Sequence, residues 1–153
     1  MKETIIVLDR KIKTTSKKES LVLVLTAAER TRLRGHRQTT CGQDVLLQLP
    51  REGALMDGDL LAGKDPSIQV LIKAAMEHLL VVSTNSMLEL TKAAYHLGNR
   101  HVDIELRPNE LFLLEDPVLA DLLKKRGLHV KSIKRAFFPE RGAYSLRNSH
   151  QHN

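Results

Sequence analysis

A chain of 153 residues has room for one compact domain or two small ones. Its 42% hydrophobic and 27% charged residues are ordinary for a soluble globular protein. Two Tyr, three Phe and no Trp leave little for base stacking, the single Cys41 excludes an intrachain disulfide framework, and no apolar run nears the roughly 20 residues of a membrane span.

Thr4–Leu8 and Leu21–Leu25 are short Val/Ile/Leu-rich runs that predict two strands joined by a basic loop over Lys11–Ser20. The alternation Arg30-Thr31-Arg32-Leu33-Arg34 predicts a strand with one wet face. Val45–Leu49 predicts another, ended by Pro50. An Asp-Gly turn sits within Leu55-Met56-Asp57-Gly58-Asp59-Leu60-Leu61, and Ile68–Ala74 and His78–Val82 complete the series. A small β-rich domain is therefore expected over residues 1–75.

The pattern then changes. Asn85 or Ser86 opens a helix, with Ser86 and Glu89 at capping-box spacing, and Gly98 is expected to be its left-handed terminal residue. Val102-Asp103-Ile104-Glu105-Leu106 alternates as a half-buried strand does. Pro108-Asn109 turns the chain into a strand over Glu110–Leu114. Asp116 and Pro117 open a second helix that Gly127 closes, and Leu128–Ile133 forms the last strand. The order β-α-β-β-α-β predicts a ferredoxin-like domain over residues 76–142. Residues 143–153 read as a flexible, histidine-bearing tail. The fold class is α+β.

The charge of +6 is uneven, because residues 1–37 carry ten Lys/Arg against four Asp/Glu while the remainder balances. Such a basic third reads as a nucleic-acid surface, a dock for an acidic partner or, most commonly, a solvated face. No phosphate-binding glycine loop, cysteine pair or nucleophile elbow is present. Cys41 reads as an inert thiol in a turn, and His78 and His129 as structural residues at strand starts.

Among the seven histidines, His96 and His101 are five residues apart, about 140° around a helix, so one helical face cannot offer both to one ion. His96 lies in the last helical turn, whereas His101 lies just past it, where an imidazole can project outward. His150 and His152 stand at i, i+2 in the tail, a short tract suited to metal capture. Imidazole suits Ni, Cu, Zn and Fe. One fixed and two mobile histidines are too few for a closed structural zinc site and fit a labile one, whose ligand count a two-fold dimer would double.

Several segments together resemble the UreE family of urease accessory metallochaperones. Tyr95-His96-Leu97-Gly98-Asn99-Arg100-His101 is similar to that family's signature after the first helix of its C-terminal domain. Phe137-x-Pro139-Glu140-x-Gly142-Ala143-Tyr144 resembles the segment before its histidine tail. Leu49-Pro50-Arg51, Leu55-x-Asp57-Gly58-Asp59-Leu60-Leu61 and Glu29-Arg30-x-Arg32 resemble its β-domain. The resemblance implies a cytoplasmic, non-enzymatic carrier that delivers Ni²⁺ to apo-urease, with Zn²⁺ or Cu²⁺ able to bind in vitro. It implies a peptide- or partner-binding N-terminal domain, a homodimer formed through the C-terminal domain, and a urease accessory GTPase as partner, with no nucleic acid or membrane involved. His101 is then the central metal ligand, assisted by His150 and His152. The stretch Leu113-Leu114-Glu115-Asp116-Pro117 lacks the additional His pair that some relatives carry there. The alternative function is a small basic nucleic-acid-binding module, suggested only by the charge of residues 1–37.

Overall fold

Short apolar runs cut by turn residues dominate the first half of the chain, and most become strands that bury one face. The computed structural model describes residues 4–13 and 19–141; the tail expected over 143–153, with His150 and His152, lies outside them. The chain divides into two units between Ala75 and Met76. The first contains β1 (Ile6–Leu8), β2 (Arg10–Ile12), β3 (Leu21–Leu25), the single-turn α1 (Ala27–Arg30), β4 (Arg34–Gln38), β5 (Asp44–Gln48), β6 (Leu60–Ala62) and β7 (Val70–Ala74).

These strands form two sheets, ordered β1-β5-β4 and β2-β6-β7-β3. Two pairs are parallel, β1 with β5 and β3 with β7, and the other pairs are antiparallel. The two sheets share one core that includes Leu8, Leu23, Leu25, Val45, Leu47 and Ile72. Gly63 lies where the end of β6 meets β1, and a Cβ there would overlap the Val7 carbonyl oxygen. The Asp-Gly-Asp segment is a lock and not a two-residue hairpin. Asp57 accepts the Ala74 amide at 2.8 Å, Asp59 accepts the Met56 amide at 2.8 Å, and the Gly58 amide donates to Ile72 at 2.8 Å.

Two local expectations fail here for identifiable reasons. Arg30–Arg34 is not a strand, because Thr26 and Glu29 form a reciprocal capping box that commits the chain to a helical turn. Arg30 is buried at the end of that turn, donating to the Leu25 carbonyl at 3.1 Å, and extended pairing begins only at Arg34. The expected loop over Lys11–Ser20 begins with the strand β2 instead. Lys11 reaches Asp59 at 3.1 Å and the Ala54 carbonyl at 3.1 Å, which holds β2 against β6.

The second unit contains β8 (Met76–Ser83), α2 (Met87–Asn99), β9 (Glu105–Leu106), β10 (Glu110–Leu114), α3 (Pro117–Lys125) and β11 (His129–Ala136). Its sheet has the order β11-β8-β10-β9 with every pair antiparallel, which is the ferredoxin-like arrangement. Leu80, Val82, Leu111 and Leu113 point from the sheet toward Leu90, Ala93 and Leu97 of α2 and Leu119 and Leu123 of α3. Asp116 caps α3 by accepting from the Val118 and Leu119 amides, with Pro117 at the first helical position. Among the described residues no helix is long and apolar enough to cross a membrane.

The alternation over Val102–Leu106 holds over its first three residues and breaks at the last two. Only Glu105 and Leu106 pair as a strand, and it is Glu105 that is buried while Leu106 is exposed. Val102 and Ile104 instead pack partly buried against the helix-side core. A carboxylate thus occupies the position the pattern assigns to water.

Candidate metal-binding site

Ser86 starts α2 by accepting the Glu89 amide at 3.2 Å, and Leu90, Ala93 and Leu97 then recur on the buried face. The helix runs past Gly98, which keeps a helical conformation, to Asn99 with Arg100 as its C-cap. The residue that turns left-handed is His101, with φ of 58°, alone among the described non-glycine residues. Its amide donates to the Gly98 carbonyl at 3.0 Å, and the Val102 amide donates to the Leu97 carbonyl at 3.0 Å. This paired closure, with Leu97 buried and Val102 packed beside it, is a Schellman motif.

The other long helix ends the same way with different chemistry. At the end of α3 the left-handed residue is Gly127, whose amide donates to Lys124 at 2.9 Å while that of Leu128 donates to Leu123 at 3.2 Å. Glycine accepts this conformation freely, whereas a side chain there costs about 1–2 kcal/mol. His101 therefore occupies a position that the fold elsewhere gives to glycine. Its side chain is exposed and stands at the carboxyl end of α2, where the helix dipole favours a cation.

The remaining candidates are dispersed. His96 is half-buried in the last turn of α2, its ring edge-on to Tyr95 at 5.5 Å between centroids. His78 and His129 are exposed on β8 and β11, His129 as the first residue of its strand. Cys41 is also exposed. The Thr39 hydroxyl at 3.3 Å, and then the Gln43 amide, hold its thiol below the ordinary value. Among the described residues no three His, Cys, Asp or Glu side chains converge as a metal cage.

The hydrophobic pattern does not mark one buried group four residues after His101. Glu105 is 2% exposed, and it receives Arg107 Nε at 2.7 Å, an Arg135 Nη at 2.7 Å and the Phe138 amide at 2.8 Å. Burial pushes its carboxyl up, but hydrogen bonds from Arg135, Phe138 and Arg107 outweigh that and hold it below the usual carboxylate range. Arg135 also lies over the Phe112 ring, 4.0 Å from its centroid. The available signal was the cationic residues two and thirty positions away, which alternation alone does not weigh.

Residues 5–73 match the profile described as UreE urease accessory protein, N-terminal domain, and residues 77–153 match the corresponding C-terminal domain. The chain belongs to the UreE family of urease accessory proteins. A protein named "Urease accessory protein UreE" from Parasynechococcus marenigrum (strain WH8102) is 49% identical over 152 residues, 99% of each chain. One of the same name from Synechococcus sp. (strain CC9311) is 55% identical over 130 residues, 85% of this chain and 82% of that one. A third, from Prochlorococcus marinus (strain MIT 9301), is 47% identical over 125 residues, 82% of this chain and 84% of that one. His101, His150 and His152 all fall within the span matched to the UreE C-terminal domain.

Proposed function

We propose that this chain is a nickel carrier of urease maturation that delivers Ni²⁺ to apo-urease. The observation that carries the reading is His101: an exposed imidazole at a left-handed helix terminus that the sister helix gives to glycine, in a chain of the UreE family. A backbone strain kept at an exposed histidine is accounted for if the imidazole has a task at that point. The cation-favouring end of α2 suits a metal ligand.

One imidazole does not retain a divalent ion, so the site is completed from outside the single described chain. His101 of a second copy in a homodimer, together with His150 and His152, supplies a nitrogen-rich set open enough to release its cargo. Zn²⁺ and Cu²⁺ compete for the same nitrogens in vitro, and acidification weakens binding because protons do so too. The first unit serves as the partner-binding domain, with its basic surface, including exposed Arg34 and His36 on β4, facing the urease accessory GTPase and apo-urease complex. The carrier works in the cytoplasm and is not an enzyme.

Calorimetric titration of wild type and His101→Ala with Ni²⁺, alongside a measured oligomer mass, tests this reading. Strong loss of affinity in a folded variant is the expected result. Equal isotherms would remove His101 from the site.

A further inference from the structure

After residue 37 the charges of the chain balance in total but not along its length. Residues 122–139 hold six Lys/Arg and no Asp or Glu. The fold gathers them at one margin of the second unit, where Lys124, Lys125 and Arg126 close α3 and Lys131, Lys134 and Arg135 lie on β11. Lys125 pairs with Asp121 at 2.9 Å and Arg135 with Glu105 at 2.7 Å. Lys124, Arg126, Lys131 and Lys134 are exposed and make no ion pair among the described residues. The helix dipole accounts for cations at the end of α3 but not for those on a strand.

β11 is also an edge. Among the described residues it pairs only with β8, and its eight residues make it the longest strand at a sheet margin. In an antiparallel edge strand alternate N–H and C=O groups face outward, here along about 27 Å. Its two faces differ. Val130 and Ser132, opposite Val82 and Leu80, lie on the helix side. A crevice of about 220 Å³ opens there between β11 and α3, with Leu80, Ala120 and Val130 in its wall and Lys124 on its border. Lys131 and Ile133, opposite Val81 and Leu79, lie on the other face and are exposed. Two acidic residues border the crevice, but both are engaged: Glu115 accepts the Ser132 hydroxyl at 3.2 Å, and Asp116 caps α3.

We propose that the outer edge of β11 is a docking strand for an extended segment of a partner protein in which acidic residues alternate with apolar ones. Main-chain groups of the segment pair with the open edge, its apolar side chains turn toward the crevice beside α3, and its carboxylates meet Lys131 on the other face. A second copy of β11 is the wrong occupant, because it sets lysines opposite lysines. A phosphate backbone matches the charge but leaves both the strand edge and the apolar crevice unused. The inference needs neither the metal nor His101.

The test uses the full, metal-free chain and an eight-residue synthetic peptide that alternates glutamate and valine, titrated to millimolar concentration and followed by backbone amide resonances. Saturable binding is expected, with exchange slowed at alternate amides of β11. A fully N-methylated peptide, which cannot pair, should bind at least about tenfold more weakly. The Lys131→Glu/Lys134→Glu double variant should also lose about tenfold, and added salt should weaken the wild-type complex. Both side chains are exposed, so the fold should tolerate the change. If it does not, Lys131→Gln/Lys134→Gln carries the test, with a loss of about threefold.

Absence of saturation, equal binding of the N-methylated peptide, or a lysine–valine peptide that binds as well as the acidic one would each overturn the proposal. Tighter binding of a single-stranded oligonucleotide to the same lysines would overturn it too, by making the strip a nucleic-acid surface. So would a solution mass that falls in the double variant, which would make β11 a contact between copies of the chain.

Discussion

Replacing His101 with glycine is expected to make the metal-free protein more stable while removing its metal ligand. The left-handed conformation at φ of 58° costs an L-residue about 1–2 kcal/mol, toward the lower end for histidine, which visits this region more readily than most. Glycine removes that cost but brings more unfolded-chain entropy, about 0.5–1 kcal/mol. The side chain is exposed, so little packing is lost with it. The net gain is the small difference, roughly 0.5 kcal/mol or less. His101→Ala keeps a Cβ and the strain, so it should lie within about 0.5 kcal/mol of wild type. Both long helices belong to the second unit, so urea unfolding followed by helical ellipticity reports that unit directly. Ni²⁺ titration of the same samples supplies the other half. A glycine variant no more stable than the alanine variant would refute the strain argument, and one that still bound Ni²⁺ tightly would refute the ligand assignment.

Gly127→Ala, the mirror experiment at the end of α3, should cost about 1–2 kcal/mol by the same unfolding assay and leave Ni²⁺ affinity unchanged. Open space surrounds that position, so any cost is the backbone's own. Gly63→Ala should cost about 3 kcal/mol or more, since the new methyl meets a backbone oxygen that no rotamer change can move; calorimetry should show the first unit melting earlier. Glu105 has a folded-state pKa below its unfolded value of about 4.3, so its stabilisation is present above that pH and is lost as pH falls through the folded value. Urea midpoints measured from neutral to acid pH should therefore fall in wild type with a slope that Glu105→Gln reduces.

Most elements of the second unit are legible because their signals are local. Ser86, Asp116 with Pro117, and Gly127 each stand at the boundary they enforce. In the N-terminal unit two local signals compete. Charge alternation at Arg30–Arg34 suggests a strand, yet the Thr26–Glu29 capping box upstream decides the backbone first. At the candidate site, the position of His101 just past α2 follows from the helix pattern, but its left-handed conformation does not. Gly98 offered the customary terminator, and the helix ran on because the Leu97–Val102 closure forms one turn later. Glu105 was illegible for a different reason: its partners Arg135 and Phe138 arrive from across the sheet, and no window of sequence contains them all.

The pairing of the first unit bears on how the protein is made. Ile6 lies opposite Val45, Arg10 opposite Ala62, and Leu21 opposite Val70, so three of its strands wait for partners synthesised some forty to fifty residues later. Only β4 with β5 and β6 with β7 are joined by short connections. Such pairings pay their loop-closure entropy before contacts repay it, which places folding toward the slower, millisecond-to-second range. A nascent chain stalled before Val70 would leave β3 without its neighbour and Leu23 and Leu25 without their cover. Emergence of β7 from the ribosome is therefore the event that gives β3 its neighbour and those leucines their cover.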